Sequence, residues 1–182
     1  MTDPRNLQGP FTIDPSHSSV GFVVRHAMIT KVRGSFPDFS GSAHLDGANP
    51  EASKVEVRIN TASVETRSAD RDAHLRSGDF FDVETYPTMT FTSTDVKAVS
   101  DDTVHITGDL TIKDVTKPVT IPFSYSGAAV DPFGNTRVGW EGAVDINRKD
   151  WGLTWNAALE AGGVLVSEKV KLEFDISTIK QA

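Results

Sequence analysis

Residues 169–177 read KVKLEFDIS. Val170, Leu172, Phe174 and Ile176 alternate with Lys169, Lys171, Glu173 and Asp175, apolar against charged. A strand sends successive side chains to opposite faces, so this run describes an antiparallel strand with one buried face and one wet face. The same period recurs along most of the chain. In SSVGFVVRHAM, Val20, Phe22, Val24, His26 and Met28 share a face, opposite Gly21, Val23, Arg25 and Ala27. KVEVRINT aligns Val55, Val57 and Ile59, and TVHITGDLTIK aligns Val104, Ile106, Gly108, Leu110 and Ile112. VTIPFSY aligns Val119, Ile121, Phe123 and Tyr125, and RVGWEGAVDINR aligns Val138, Trp140, Gly142, Val144 and Ile146. Val32–Phe36, Phe39–Leu45 and Thr88–Thr92 are shorter strand candidates.

Turn residues punctuate these runs: Asp46-Gly47, Asn49-Pro50, Ser100-Asp101-Asp102, Lys117-Pro118, Asp131 to Asn135 and Gly162-Gly163. No fixed-period repeat, low-complexity tract or compositional break appears, so residues 10–182 read as one domain, preceded by a frayed tail over residues 1–9. About eight amphipathic strands must hide their inner faces, either by closing into a barrel or by packing as two sheets. Gly34, Gly41, Ala43, Gly108 and Gly142 fall on inward positions, where small residues let a sheet bend and leave volume unfilled. That favours closure.

Composition sets limits on function. The chain has 182 residues, is 38% hydrophobic and 24% charged, and carries a net charge of −7, which argues against tracking a phosphate backbone and against electrostatic docking on anionic lipid heads. With no cysteine there is no disulfide, thiolate metal site or thiol nucleophile. No apolar run approaches the ~18 residues of a membrane span, and MTDPRNLQGP is not a secretory signal, so a cytoplasmic location is expected.

RDAHLRSGDFFD, residues 71–82, is the densest cluster of chemistry-bearing side chains. Ser68 to Gly78 reads as a helix, with Ser68 as N-cap, Asp70 and Asp72 in the first turn and Gly78 closing the end. Asp70 and His74 stand one turn apart, where an aspartate could fix the imidazole for acid–base work. A metal site would need further ligands, and neither HxH nor HExxH occurs. The structural alternative is a plug: Leu75, Phe80 and Phe81 seal one barrel end while the charges cap, pair and solvate. Arg71 and Arg76 could also meet an anionic group at a cavity mouth.

Four blocks, in order, resemble the YceI-like proteins: FTIDPSHSSVGFVVRHAMITKVRGSFPDFSG, TASVETRSADRDAHLRSGDFFDVETYPTMTF, GDLTIKDVTKPVTIPF and INRKDWGL. The resemblance spans Phe11 to about Ile176. It implies an all-β fold, an antiparallel lipocalin-like β-barrel of about eight strands with one short helix. It further implies a cavity that binds a polyisoprenoid (isoprenoid quinone or prenyl phosphate class) or another long, fatty-acid-like lipid, for storage or transport, with no cofactor. Two departures are visible: many relatives carry a secretion signal, and the aromatic often found before the first strand is replaced by Pro10-Phe11.

On this reading the lining residues are Phe22, Val24, His26, Phe36, Phe91, Leu110, Ile112, Phe123, Trp140, Val144 and Phe174. Head-group candidates are His26, Arg71, His74 and Arg148. Arg148 continues an inward face and must find a partner, with an aspartate of RDAHLRSGDFFD as the protein candidate. Trp151 and Trp155 read as rim aromatics. The alternative is an enzyme using the same cavity, with His26 or the Asp70/His74 pair as base, although no GxSxG elbow or phosphate-cradling glycine loop supplies the rest. Exposed strand edges and rim aromatics would suit a homodimer. Neither nucleic-acid binding nor a membrane span is expected.

Overall fold

The computed structural model describes residues 3–182. The alternating runs become strands β1 (Gln8–Ile13), β2 (Ser19–His26), β3 (Thr30–Ser35), β4 (Phe39–Asp46), β5 (Lys54–Asn60), β6 (Thr88–Ala98), β7 (Thr103–Ile112), β8 (Val115–Val130), β9 (Thr136–Asn147) and β10 (Lys169–Lys180). All pairings are antiparallel. Eight strands form a ring in the order β1-β4-β5-β6-β7-β8-β9-β10, and β1 pairs with β10 to close it. β10 makes the seam. Its residues Thr178–Lys180 pair with β1, while Lys171–Asp175 pair with β2, so the β2–β3 hairpin extends the wall at the opposite end. Val170, Leu172, Phe174 and Ile176 all face the interior, as the alternation requires.

The chain departs from its sequence pattern at four places. First, Met1 and Thr2 lie outside the described residues, but the rest of the expected tail is structured. Asp3 caps a 3₁₀ turn at Pro4–Asn6, β1 starts at Gln8, and Leu7 is buried with Phe11 and Val138. Second, Lys117-Pro118 is no turn; the reversal is the two-residue loop Lys113-Asp114, with Lys113 at φ 59°. Pro118 and Pro122 are tolerated because β9 joins β8 only from Phe123 onward, so their missing N–H groups fall where β8 has a single neighbour. Third, Met28 leaves the apolar face, since β2 ends at His26 and Ala27 and Met28 turn the chain with positive φ. Fourth, the helix α1 spans Ala69–Arg76 and is closed by Ser77 rather than Gly78, with the Ser77 hydroxyl and N–H both donating to the His74 carbonyl.

Ser68 does cap α1, accepting from the Arg71 N–H. The helix is held across one barrel end by Arg76, which donates to the Ala62 and Val64 carbonyls at 2.9 and 3.0 Å. Phe80 is buried beneath it with Val64, Met89, Ile112, Trp151 and Leu153, and Leu75 and Phe81 pack against that cluster. The plug is therefore the packed core, and the strands beyond it enclose open space.

Candidate functional site

A cavity of about 850 Å³ runs along the barrel. Its lining begins at Pro4, Asp46 and Asp101, in the turns at one end, and finishes at Arg71, His74 and Trp155, at the α1 end. Between them the wall is apolar. Phe22, Phe91, Leu110, Phe123, Phe174 and Ile176 point inward yet remain only half-buried, because each borders the open volume of the cavity. Of the expected lining residues, Phe22, Val24, His26, Phe36, Phe91, Leu110, Ile112, Phe123, Trp140 and Phe174 border the cavity. Val144 does not; it packs in the surrounding apolar cluster.

The lumen stays open through phenylalanine–glycine pairing. Phe22 lies opposite Gly34 and Phe123 opposite Gly142 in the strand register, and Phe91 stands diagonal to Gly108. A Cβ on Gly34 would lie 2.2 Å from Phe22 Cζ, one on Gly108 2.4 Å from Phe91 Cζ, and one on Gly142 2.6 Å from Phe123 Cδ1. Each ring thus lies down on the sheet in the place a side chain would occupy. The inward glycines do not themselves leave the space unfilled, as their small size suggests. Gly34, Gly108 and Gly142 accept rings that would otherwise stand in the lumen, and Gly41 accepts the Ile13 side chain.

Polar groups gather at the two ends. At the α1 end, Arg148 is only 5% exposed. Its Nε donates to the Ser167 carbonyl at 2.9 Å, Nη1 to Leu153 at 2.6 Å and Nη2 to Val166 at 3.3 Å. No aspartate of residues 71–82 reaches it, contrary to expectation: the β9–β10 loop wraps the guanidinium in its own carbonyls. Burial lowers the Arg148 pKa, with Glu168 opposing. Arg71 spends two donors on Thr66, whose hydroxyl in turn donates to Asp72. Asp70 and His74 do not pair. His74 Nε2 meets Asp79 Oδ2 at 2.9 Å instead, and its ring stands edge-on to Trp155 and Phe80 at 4.6 and 5.1 Å. The chain reversal after Ser77 brings Asp79 back to the imidazole, while Asp70 stays in the exposed first turn. His26 is exposed at the cavity rim rather than buried in the core.

All four head-group candidates, His26, Arg71, His74 and Arg148, border the cavity at this one end. Trp155 borders it too. Trp151 is not a rim aromatic: it is buried, and its indole N–H donates to the Leu110 carbonyl at 2.9 Å. The opposite mouth, formed by Arg5, Asp46, Asp101 and Asp102, escaped the sequence reading. Its turns were legible, but which turns share a barrel end depends on strand order. Among the described residues no three His, Asp or Glu side chains stand close enough to hold a metal ion, and no helix is long and apolar enough to cross a membrane.

The YceI-like domain model matches residues 11–178. A UPF0312 protein of Ectopseudomonas mendocina is 44% identical over 165 residues, 91% of this chain and 83% of that one. Among solved structures, Burkholderia cenocepacia BcnA superposes with a TM-score of 0.80 at 23% identity, covering 91% of this chain and 98% of that one. A polyisoprenoid binding domain from Saccharophagus degradans superposes with a TM-score of 0.71 at 17% identity, covering 94% and 98%, and at that identity it shares the fold alone. The family blocks noted in the sequence, the closed barrel and its apolar lumen meet in one conclusion: the chain belongs to the YceI-like family.

Proposed function

We propose that this protein binds one long-chain amphiphilic lipid along its barrel axis, a polyisoprenoid of the quinone or prenyl phosphate class fitting best, and stores or carries it unchanged. The observation that carries this reading is the apolar lumen of about 850 Å³ with polar side chains confined to its ends. At about 30 Å³ for a water-sized group, that volume suits a chain of a few tens of carbon atoms. Flat-lying aromatic rings along the wall suit a slim, methyl-studded chain. The polyisoprenoid class is also the ligand named for the Saccharophagus degradans domain. A head group would sit at the α1 end, where His26, Arg71, His74 and Arg148 border the cavity. Carriage without chemistry is supported by the local partners: His74 is held by Asp79 between two aromatic rings, and Arg148 commits three of its donors to backbone carbonyls.

A chain-length series tests it. Affinities of prenyl alcohols of increasing length, titrated into lipid-stripped protein, should rise by ~0.8 kcal/mol, about fourfold, per buried CH₂ and level off once the lumen is full. Affinity that does not change with chain length would contradict the reading.

A further inference from the structure

The β2–β3 turn, Ala27–Ile29, stands on the cavity rim: His26 and Arg25 before it and Val32 after it border the cavity. Its side chains are the wrong kind for its backbone. The Ile29 N–H donates to the His26 carbonyl at 3.0 Å, and the two residues between, Ala27 and Met28, have φ of 50° and 61°. That is a type I′ turn, which Asn-Gly fills without strain and which a long apolar side chain opposes. Here Met28 is 63% and Ile29 75% exposed. A strained backbone that displays two bare aliphatic groups to water points to a role outside the fold.

Charge around the tip is also unusual. Pro15 to Pro37 contains no Asp or Glu, in a chain of net charge −7. Arg33 is engaged by Glu173 at 2.8 Å, but Arg25 braces the turn through the Ile29 carbonyl at 3.0 Å, and Lys31 makes no ion pair among the described residues. The neighbouring tip of the β9–β10 loop packs beside it, with Gly163 against Met28 and Leu165 accepting from the Ala27 N–H at 2.7 Å. That tip exposes Ala161, Gly162 and Gly163 and carries one acid, Glu160. The whole-chain charge thus hides a local basic and apolar edge.

We propose that this edge is a membrane-docking surface: Met28 and Ile29 insert into an anionic lipid layer while Arg25 and Lys31 meet its head groups, which sets the α1 end of the cavity against the bilayer. A convex pair of aliphatic side chains on a tight turn matches a fluid acyl layer better than a rigid protein pocket. The purpose of docking, passing a chain between bilayer and lumen, rests on the lipid-binding reading; the docking itself does not.

The test is flotation with vesicles of equal parts phosphatidylglycerol and phosphatidylcholine, against pure phosphatidylcholine. Wild-type protein should float with the anionic vesicles and far less with the neutral ones. Ala27→Asn with Met28→Gly gives the turn its preferred residues, so the melting temperature should hold or rise. Combined with Ile29→Ser, it should weaken partitioning by about tenfold or more, as loss of two buried aliphatic groups requires. Lys31→Glu should weaken it on anionic vesicles only. Phe133→Ser, at the far end of the barrel and 88% exposed in wild type, should leave flotation unchanged. Absence of wild-type flotation, equal flotation of the turn variant, or loss with Phe133→Ser overturns the proposal. So does a wild-type dimer that the turn variant dissociates without vesicle binding, since the tip would then face a second copy. Lipid extracted from the same preparations keeps the two readings apart: turn-dependent flotation with an empty extract retains docking and removes the cargo, and a loaded protein that does not float does the reverse.

Discussion

Gly34→Ala separates an open lumen from a packed one. The three atoms nearest the new Cβ would all belong to the Phe22 ring, Cζ at 2.2 Å and Cε1 and Cε2 at 2.7 Å. Ordinary contact needs at least 3.4 Å, so the ring must withdraw by roughly 1 Å or more. Phe36 stands beside it, with ring centroids 5.6 Å apart, so the retreat leads toward the axis. In a filled core such an insertion costs about 1–3 kcal/mol. Facing open volume, the ring can swing at little cost, and replacing glycine in a strand returns about 0.5–1 kcal/mol. The net change in stability should therefore stay within about 1 kcal/mol. Binding should suffer instead, because the ring now stands where the chain would lie: about tenfold, the equivalent of one or two displaced CH₂ contacts. Urea denaturation gives the first quantity and titration with a polyene fatty acid, whose emission rises in apolar surroundings, gives the second. A loss of several kcal/mol of stability with unaltered binding would refute the open-lumen argument.

Arg148→Met keeps the stem volume but strips donors from the Leu153 and Ser167 carbonyls, while Val166 retains the Asn156 side chain at 2.8 Å. It should cost about 2–5 kcal/mol in urea denaturation, and Arg148→Lys should recover only part, since a single ammonium cannot span carbonyls set around a planar fork. The carboxylates around Arg137 set an acid limit. Ser16, Arg137 and His17 hold the Asp14 pKa well below the usual carboxylate range, and Asn135 and Arg137 do the same for Asp131. Because the folded-state values are depressed, this stabilisation is complete above the unfolded pKa near ~4 and is lost as pH falls toward the folded values. Arg137→Met should accordingly lower the melting temperature most at neutral pH, with the gap to wild type narrowing below pH ~4; a gap that widens in acid would contradict it.

The inward faces were readable because period two needs no knowledge of which strands are neighbours. Val170, Leu172, Phe174 and Ile176 face the lumen as KVKLEFDIS requires. β1 was not readable: it is short, contains Gly9 and Pro10, and gains its order from partners at His44 and Lys180 that are distant in sequence. Helical spacing offered Asp70 to His74, but the imidazole went to Asp79, because the turn after Ser77 carries that carboxylate back over the helix end. Arg148 likewise looked as if it needed a carboxylate. A loop can neutralise hydrogen-bonding demand with carbonyls alone, and nothing in a sequence reports where those carbonyls will point. The glycines were legible as inward and small, but their partners, the rings of Phe22, Phe91 and Phe123, follow only from strand register.

Mass spectrometry of an organic extract from natively purified protein, beside a denatured and refolded control, decides whether the lumen holds a long lipid chain. A near-stoichiometric isoprenoid or other long-chain species in the native sample alone is the predicted result. Extracts that stay empty after expression in a lipid-rich host would contradict it, and the barrel would then be a family fold whose cavity serves some other purpose.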